Sequence, residues 1–162
     1  MDNHHLIIDT PAIRELTVKE VKFQIFTHSG EVFSLEQAAR ERGQRPEQVV
    51  RSILFRIGNN EFVMVLVAGP SQISWSRLRE YLSISRMTMA TKEEVFTWTG
   101  YQSGAVTPFG LSLPIRILVD ERVFFEAEVS IGSGKRNTTI VISTAELRRA
   151  LGDIEIACFI EC

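Results

Sequence analysis

Two adjacent apolar segments joined by a short turn constrain the fold of this chain more than any other feature. Val49–Ile57 alternates between two faces as a β-strand does, and Phe62–Val67 is a second apolar run. The residues between them, Gly58–Glu61, are of the kinds that hairpin turns favour. We therefore predict an antiparallel hairpin that places Arg51 on the same face as Ile53. That arginine either extends to water at a strand end or holds an anion or carbonyl in a pocket.

Capping patterns, apolar spacing and turn residues predict the remaining elements. Helices are predicted at Pro11–Leu16, at Leu35–Arg42, from Ser76, from Thr91 to before Gly100, and from Ser143 to Gly152. Strands are predicted at Phe23–Thr27, Ile115–Val119, Val123–Ala127, Thr138–Ile142 and Ile154–Ile160, with a loop at Ser130–Arg136. Hairpins mixed with scattered helices predict a single α/β domain of the α+β type, built on a mixed sheet and spanning residues 1–162.

Composition narrows the class of protein. The 162 residues are 44% hydrophobic and 23% charged, which is ordinary for one globular domain. The apolar runs are too short to cross a bilayer and no secretory signal is evident, so a cytoplasmic protein with no membrane partner is expected. Cys158 and Cys162 are expected to be free thiols, and His4 and His5 to lie in a mobile terminus at residues 1–8. We predict no metal and no cofactor.

Charge is unevenly distributed along the chain. The net charge of −2 gives no support to nucleic-acid binding, and no DNA partner is expected. However, Arg40–Arg56 holds five arginines against two glutamates, a net +3, and Arg77–Lys92 is also +3. Asp120–Glu128 is −3. These segments either form a polarised surface that receives phosphates or are ordinary solvated faces.

A glycine-rich stretch, Thr99–Gly110, follows one predicted helix. It contains three glycines, one proline and four hydroxyl side chains in twelve residues. Glycines allow backbone N–H groups to converge on a ligand oxygen, and proline stiffens the chain. The stretch is either such a donor loop or a surface connection that needs turn residues.

Familiar catalytic motifs are incomplete in this chain. Gly132-Ser133-Gly134 begins like a dinucleotide fingerprint, but Asn137 occupies the third glycine position. Gly134-Lys135 lacks the leading glycine and the final Ser or Thr of a P-loop. A Ser-His-Asp triad would have to use His28. An enzyme of this sequence must therefore depend on backbone donors, positioning and the substrate's own groups.

The stretch Thr99–Gly110 fits the pattern T-G-Y-x-x-G-x-V-[ST]-P-[FL]-G and resembles the YbaK/EbsC/prolyl-tRNA synthetase-associated editing-domain family. Further segments are similar to that family in the same order. These are Phe23–His28 as its first strand, Val50–Leu54 as its [FY]-K-[TS]-L-[LV] strand, and Ser133–Arg136 followed by Leu147. Arg51 stands where the family usually has lysine, and Gly104-Ala105 where it often has two glycines.

The resemblance implies a mixed, barrel-like β-sheet flanked by helices and a pocket for the 3′ end of a mischarged tRNA. It implies a free-standing aminoacyl-tRNA deacylase of the prolyl-tRNA editing type, with a prolyl-tRNA synthetase as a candidate partner and a monomer or homodimer as its state. Arg51 and Gly104 are implied to be catalytic. Substrate-binding residues are implied to be His28, Ser52, Thr99, Gly100, Tyr101, Ala105, Val106, Thr107, Pro108, Phe109, Ser133, Gly134 and Lys135. The alternatives are a member that binds aminoacyl-tRNA, a nucleotide or an amino acid without hydrolysis, and a small interaction module.

Overall fold

The computed structural model describes residues 8–161, within which the chain forms five α-helices and eight strands. The expectations for His4, His5 and Cys162 fall outside the described residues, as does nearly all of the expected mobile terminus. The helices are α1 (Pro11–Val18), α2 (Leu35–Glu41), α3 (Trp75–Leu82), α4 (Lys92–Thr99) and α5 (Thr144–Leu151). The strands are β1 (Gln24–Thr27), β2 (Val50–Gly58), β3 (Glu61–Ala68), β4 (Thr88–Met89), β5 (Arg116–Asp120), β6 (Glu128–Gly132), β7 (Thr138–Ser143) and β8 (Glu155–Ala157).

The predicted hairpin is confirmed. β2 and β3 pair antiparallel from Val50↔Ala68 to Gly58↔Glu61, with a register irregularity beside the turn. The two faces of β2 contribute to different clusters of the core, because successive side chains of a strand point to opposite sides. Val50 and Leu54 belong to the cluster between the sheets, whereas Phe55 packs in a second cluster against α3.

Two sheets carry the strands. One has the order β1-β7-β6 and is antiparallel, and the other has the order β4-β2-β3-β5-β8 and mixes parallel with antiparallel pairs. A parallel bridge between Val49 and Ser130 links the start of β2 to β6. The mixed sheet flanked by helices is therefore confirmed. Among the described strands, the two sheets meet at this bridge without closing into a barrel.

Side-chain caps begin the helices where the sequence places them. In α4, Thr91 Oγ1 accepts from the Glu94 amide at 3.1 Å and Glu94 Oε1 accepts from the Thr91 amide at 2.9 Å, a complete capping box. In α5, Ser143 caps the helix, but the Glu146 carboxylate accepts instead from the amide of Lys22 at 2.8 Å. A local sequence motif therefore also ties the last helix to the segment before β1.

The strand predicted at Val123–Ala127 is wrong. Asp120, fully buried, accepts from the amide of Arg122 at 3.0 Å and from that of Phe159 at 2.8 Å. These bonds turn the chain into a short 3-10 helix at Glu121–Phe124. The strand begins later, at Glu128, and takes up the first part of the loop predicted at Ser130–Arg136. Of the helices in residues 8–161, none is both long and apolar enough to cross a membrane.

Candidate functional site

A cavity of about 730 Å³ opens where the two sheets meet. Its wall comes from segments far apart in the chain. It is lined by residues of the loop before α2 (His28, Glu31, Val32, Phe33), of α2 and its end (Ala38, Arg42), of the start of β2 (Val49 to Ser52), of the glycine-rich stretch (Ser103, Gly104, Val106), of β6 (Ser130 to Gly132), of the β6–β7 connection (Arg136, Asn137) and of the start of β7 (Thr138, Thr139).

Gly104 forms the exposed tip of the glycine-rich stretch at this cavity. Its φ is +90°, which glycine adopts at little cost, and no atom lies within 4 Å of the position that a Cβ would take. Within residues 8–161, the amide N–H groups of Gly104, Val106 and Thr107 donate to no protein acceptor. Of these three residues, Gly104 and Val106 line the cavity, so the tip offers main-chain donors beside open space.

The base of the same stretch is fixed inside the protein. The hydroxyl of Tyr101, which is 3% exposed, donates to the Phe109 carbonyl at 2.6 Å and so closes the loop. Burial raises the pKa of that hydroxyl to about 12. Thr99 Oγ1 donates to the Val95 carbonyl at 2.6 Å and accepts from the Tyr101 amide at 3.0 Å. Gly110 donates its amide to Glu15 Oε1 at 3.3 Å.

Two buried hydroxyls among the described residues, those of Ser52 and Thr107, have no hydrogen-bond partner. Native proteins satisfy most buried polar atoms, so such a group indicates either strain or a ligand. Ser52 lines the cavity, although its hydroxyl oxygen is itself buried. Thr107 is fully buried and does not line the cavity.

Arg51 lines the cavity near the loop that follows β3. Its Nε donates to the Gly69 carbonyl at 2.9 Å, and one Nη2 hydrogen bond goes to the Ser71 carbonyl. Burial lowers the pKa of this guanidinium, yet arginine keeps its proton in proteins. Three of its five N–H groups have no acceptor within residues 8–161. It can therefore bind an oxygen but cannot act as a general base.

His28 is buried in the cavity wall between a carboxylate and a guanidinium. Its Nδ1 lies 3.2 Å from Glu41 Oε1, and its Nε2 lies 2.9 Å from Arg42 Nη1. Arginine only donates and a carboxylate only accepts, so the ring carries its proton on Nδ1 and accepts at Nε2. Both ring nitrogens are occupied, which leaves neither for a catalytic serine.

The remaining residues implied by the resemblance lie away from the cavity wall. Ser133 is fully buried and holds the β6–β7 turn by donating to the Thr138 carbonyl at 2.8 Å. Gly134 donates its amide to the Ala105 carbonyl at 3.0 Å, and a Cβ there would lie 2.6 Å from the Tyr101 ring. Lys135 is exposed. The residues that the structure keeps out of the wall are Thr99, Gly100, Tyr101, Ala105, Thr107, Pro108, Phe109, Ser133, Gly134 and Lys135. It brings His28, Arg51, Ser52, Gly104 and Val106 together.

Arg42 is a cavity residue that the sequence reasoning missed. It ends α2, where a cation is expected for the helix dipole alone. Its side chain instead crosses to the three-stranded sheet, where Nη2 donates to Ser130 Oγ at 2.9 Å. The only signal was the net positive charge of Arg40–Arg56, which did not say which arginine turns inward. Within residues 8–161, no three His, Cys, Asp or Glu side chains converge to hold a metal ion.

Comparisons with known proteins identify the family of this chain. The family model described as "Aminoacyl-tRNA editing domain" matches residues 29–150. The proline–tRNA ligase of Kosmotoga olearia is 33% identical over 103 residues, which are 64% of this chain and 18% of that enzyme. The protein YwhH of Bacillus subtilis is 27% identical over 114 residues, 70% of this chain and 72% of YwhH.

A solved structure proposed to be a trans-editing enzyme for prolyl-tRNA synthetase shares the fold, with a TM-score of 0.82 at 23% identity over 96% of this chain and 99% of that one. The chain spans only 18% and 22% of the first two synthetases that it matches. Since the family model covers most of the chain, this protein belongs to the aminoacyl-tRNA editing domain family.

Proposed function

We propose that this protein is an aminoacyl-tRNA deacylase that hydrolyses the ester of a mischarged tRNA. Water adds to the ester carbonyl, the bond to the ribose oxygen breaks, and the free amino acid leaves a tRNA with an intact 3′ end. The observation that carries the proposal is the tip at Gly104, where unpaired amide donors and open space meet in one cavity.

The chemistry suits a site without a strong base. An aminoacyl ester is already activated, and the main barrier is the negative charge that develops on the carbonyl oxygen. Amide donors near Gly104 stabilise that charge without reorganising. The free N–H groups of Arg51 hold the substrate, and the substrate's own groups assist the attacking water.

The family relationships favour the prolyl-tRNA system. Proline–tRNA ligases recur among the relatives. This chain also matches, over nearly its whole length, a solved structure of a protein proposed to act in trans. We therefore propose a tRNA charged with the wrong amino acid by prolyl-tRNA synthetase as the substrate, with action in trans in the cytoplasm.

Deacylation of a panel of mischarged tRNAs tests the proposal. The wild-type protein is expected to release the amino acid from at least one of them faster than buffer does. Gly104→Leu is expected to lower that rate by about 10²–10³-fold, since the side chain fills the space in front of the amides.

Gly152→Leu is the matched control. Gly152 also has a positive φ, +67°, with no atom within 4 Å of a Cβ, but it lies after α5 and outside the cavity. The control should keep its activity. If no tRNA in the panel is hydrolysed faster than in buffer, the deacylase proposal is abandoned, and salt-dependent tRNA binding would then favour a non-catalytic member.

A further inference from the structure

Three arginines line the cavity without a carboxylate partner. Arg42, Arg51 and Arg136 form no ion pair within residues 8–161. Arginines elsewhere on the surface do, as in Arg116–Glu155 and Arg149–Glu146. One carboxylate, that of Glu31, also lines the cavity, so three arginines stand against one acid in its wall.

Arg42 differs from the other two in its partners. Arg51 and Arg136 donate to main-chain carbonyls, which are polar but also carry no net charge. Arg42 donates to side chains that carry no net charge. These are Gln44 at 3.3 Å, His28 at 2.9 Å, Ser130 at 2.9 Å and Thr139 at 3.4 Å. These bonds use four of its five N–H groups, and the second hydrogen on Nη2 has no acceptor.

The carboxylate of Glu41, the residue before Arg42, does not neutralise Arg42 directly. Glu41 accepts from His28 Nδ1, so the imidazole stands between the two charges. Burial lowers the pKa of Arg42 in spite of the opposing effect of Glu41. A buried guanidinium has lost part of its hydration, and an anion that binds in place of that water stabilises its charge.

We propose that Arg42 forms an anion subsite in the cavity, which binds an oxyanion of the aminoacyl-RNA: a phosphate of its 3′ end or a carboxylate of the aminoacyl side chain. The identity of the ligand rests on the proposed function, whereas the subsite rests on the side-chain geometry. His28 is a positioning residue, because its Nε2 fixes the direction of one arm of the guanidinium.

Binding of stable substrate analogues tests the subsite. Four probes are 3′-alanylamino-3′-deoxyadenosine and 3′-aspartylamino-3′-deoxyadenosine, each with and without a 5′-phosphate, titrated by calorimetry at low salt. We expect the wild-type protein to bind at least one probe that has an anionic group about 10- to 100-fold more tightly than the alanyl form without phosphate, which has none, the range for a charged hydrogen bond. Arg42→Gln should remove that difference and leave binding of the alanyl form without phosphate unchanged.

Arg45→Gln is the matched control, since Arg45 lies three residues away, is paired with Glu126 and does not line the cavity. It should keep the wild-type preference. A preference for 5′-phosphate assigns the subsite to the RNA backbone, and one for the aspartyl group assigns it to the amino acid. Equal affinity of the wild-type protein for all four probes overturns the proposal. So does an Arg42→Gln variant in which the alanyl form without phosphate and the anionic probes are weakened alike.

If Arg42→Gln does not fold, the NMR signal of the Arg42 Nε–H group in the wild-type protein tests the subsite instead. The signal should move on addition of an anionic probe and not of the alanyl form without phosphate, and the same response to both overturns the subsite. Because an amide replaces the ester in these probes, binding is measured independently of hydrolysis. If the protein shows this preference but hydrolyses no tRNA, the anion subsite is retained and only the deacylase proposal is rejected.

Discussion

Gly104 and Gly110 lie in one loop, share a positive φ, and have different surroundings. At Gly104, with φ +90°, an added Cβ meets nothing within 4 Å. At Gly110, with φ +64°, it would lie 2.4 Å from the carbonyl carbon of Pro11 in α1. One glycine keeps space open for a ligand, and the other lets two segments of backbone pack closely. A motif recognised as a unit thus divides into a tip that faces the cavity and a base that holds the fold.

The largest effect is expected from Gly110→Ala. The new methyl group meets backbone atoms that cannot move without shifting α1, and alanine is strained at this φ. We expect the free energy of unfolding to fall by about 2–5 kcal/mol, measured by denaturant titration. Gly104→Ala, with the strain but not the clash, should cost about 1–2 kcal/mol. Equal losses at the two positions would remove the distinction between tip and base.

Arg51→Ala asks whether a residue that lines the cavity also holds the fold. The guanidinium joins β2 to the Gly69 and Ser71 carbonyls, so we expect the free energy of unfolding to fall by about 1.5–3 kcal/mol. Deacylation per folded molecule should fall less than in Gly104→Leu. Arg56→Ala, an exposed arginine of the same strand, serves as the control. A large loss of activity with an unchanged melting temperature would instead assign Arg51 to the substrate alone.

Tyr101→Phe gives the smallest expected effect. It tests whether the Tyr101 hydroxyl is held inside the base of the glycine-rich loop. The folded-state pKa of Tyr101 is raised to about 12, above the ordinary value of 10.0. Its stabilising contribution is therefore complete below about pH 10 and declines as the pH rises towards about 12, because only the unfolded state loses its proton in that range. We expect wild-type stability to fall there by about 1–2 kcal/mol more than that of the variant, in denaturant titrations at pH 9 and pH 11.5. Parallel losses would show that the hydroxyl is not held in the interior.

Local sequence was enough for much of the fold. The hairpin at β2 and β3 and the N-caps at Ser34, Thr91 and Ser143 depend on residues at most a few positions apart, and all were predicted. The error at Val123–Ala127 has the opposite cause. There, an apolar strand-like pattern is overridden by the buried Asp120, whose second partner is the distant amide of Phe159.

For the site, the sequence by itself determined which loop to examine: Thr99–Gly110 carries glycines at positions whose φ is positive, and its pattern matches a family that the comparisons show. It also determined that Arg51 shares a strand face with Ile53. Only the tertiary structure decided that Gly104 faces a cavity while Gly110 packs on α1, and that Arg42 reaches Ser130, 88 positions away. The reason is physical. Strand alternation, caps and turns are set by neighbouring residues, whereas the wall of a cavity is set by how distant segments pack, which no local pattern records.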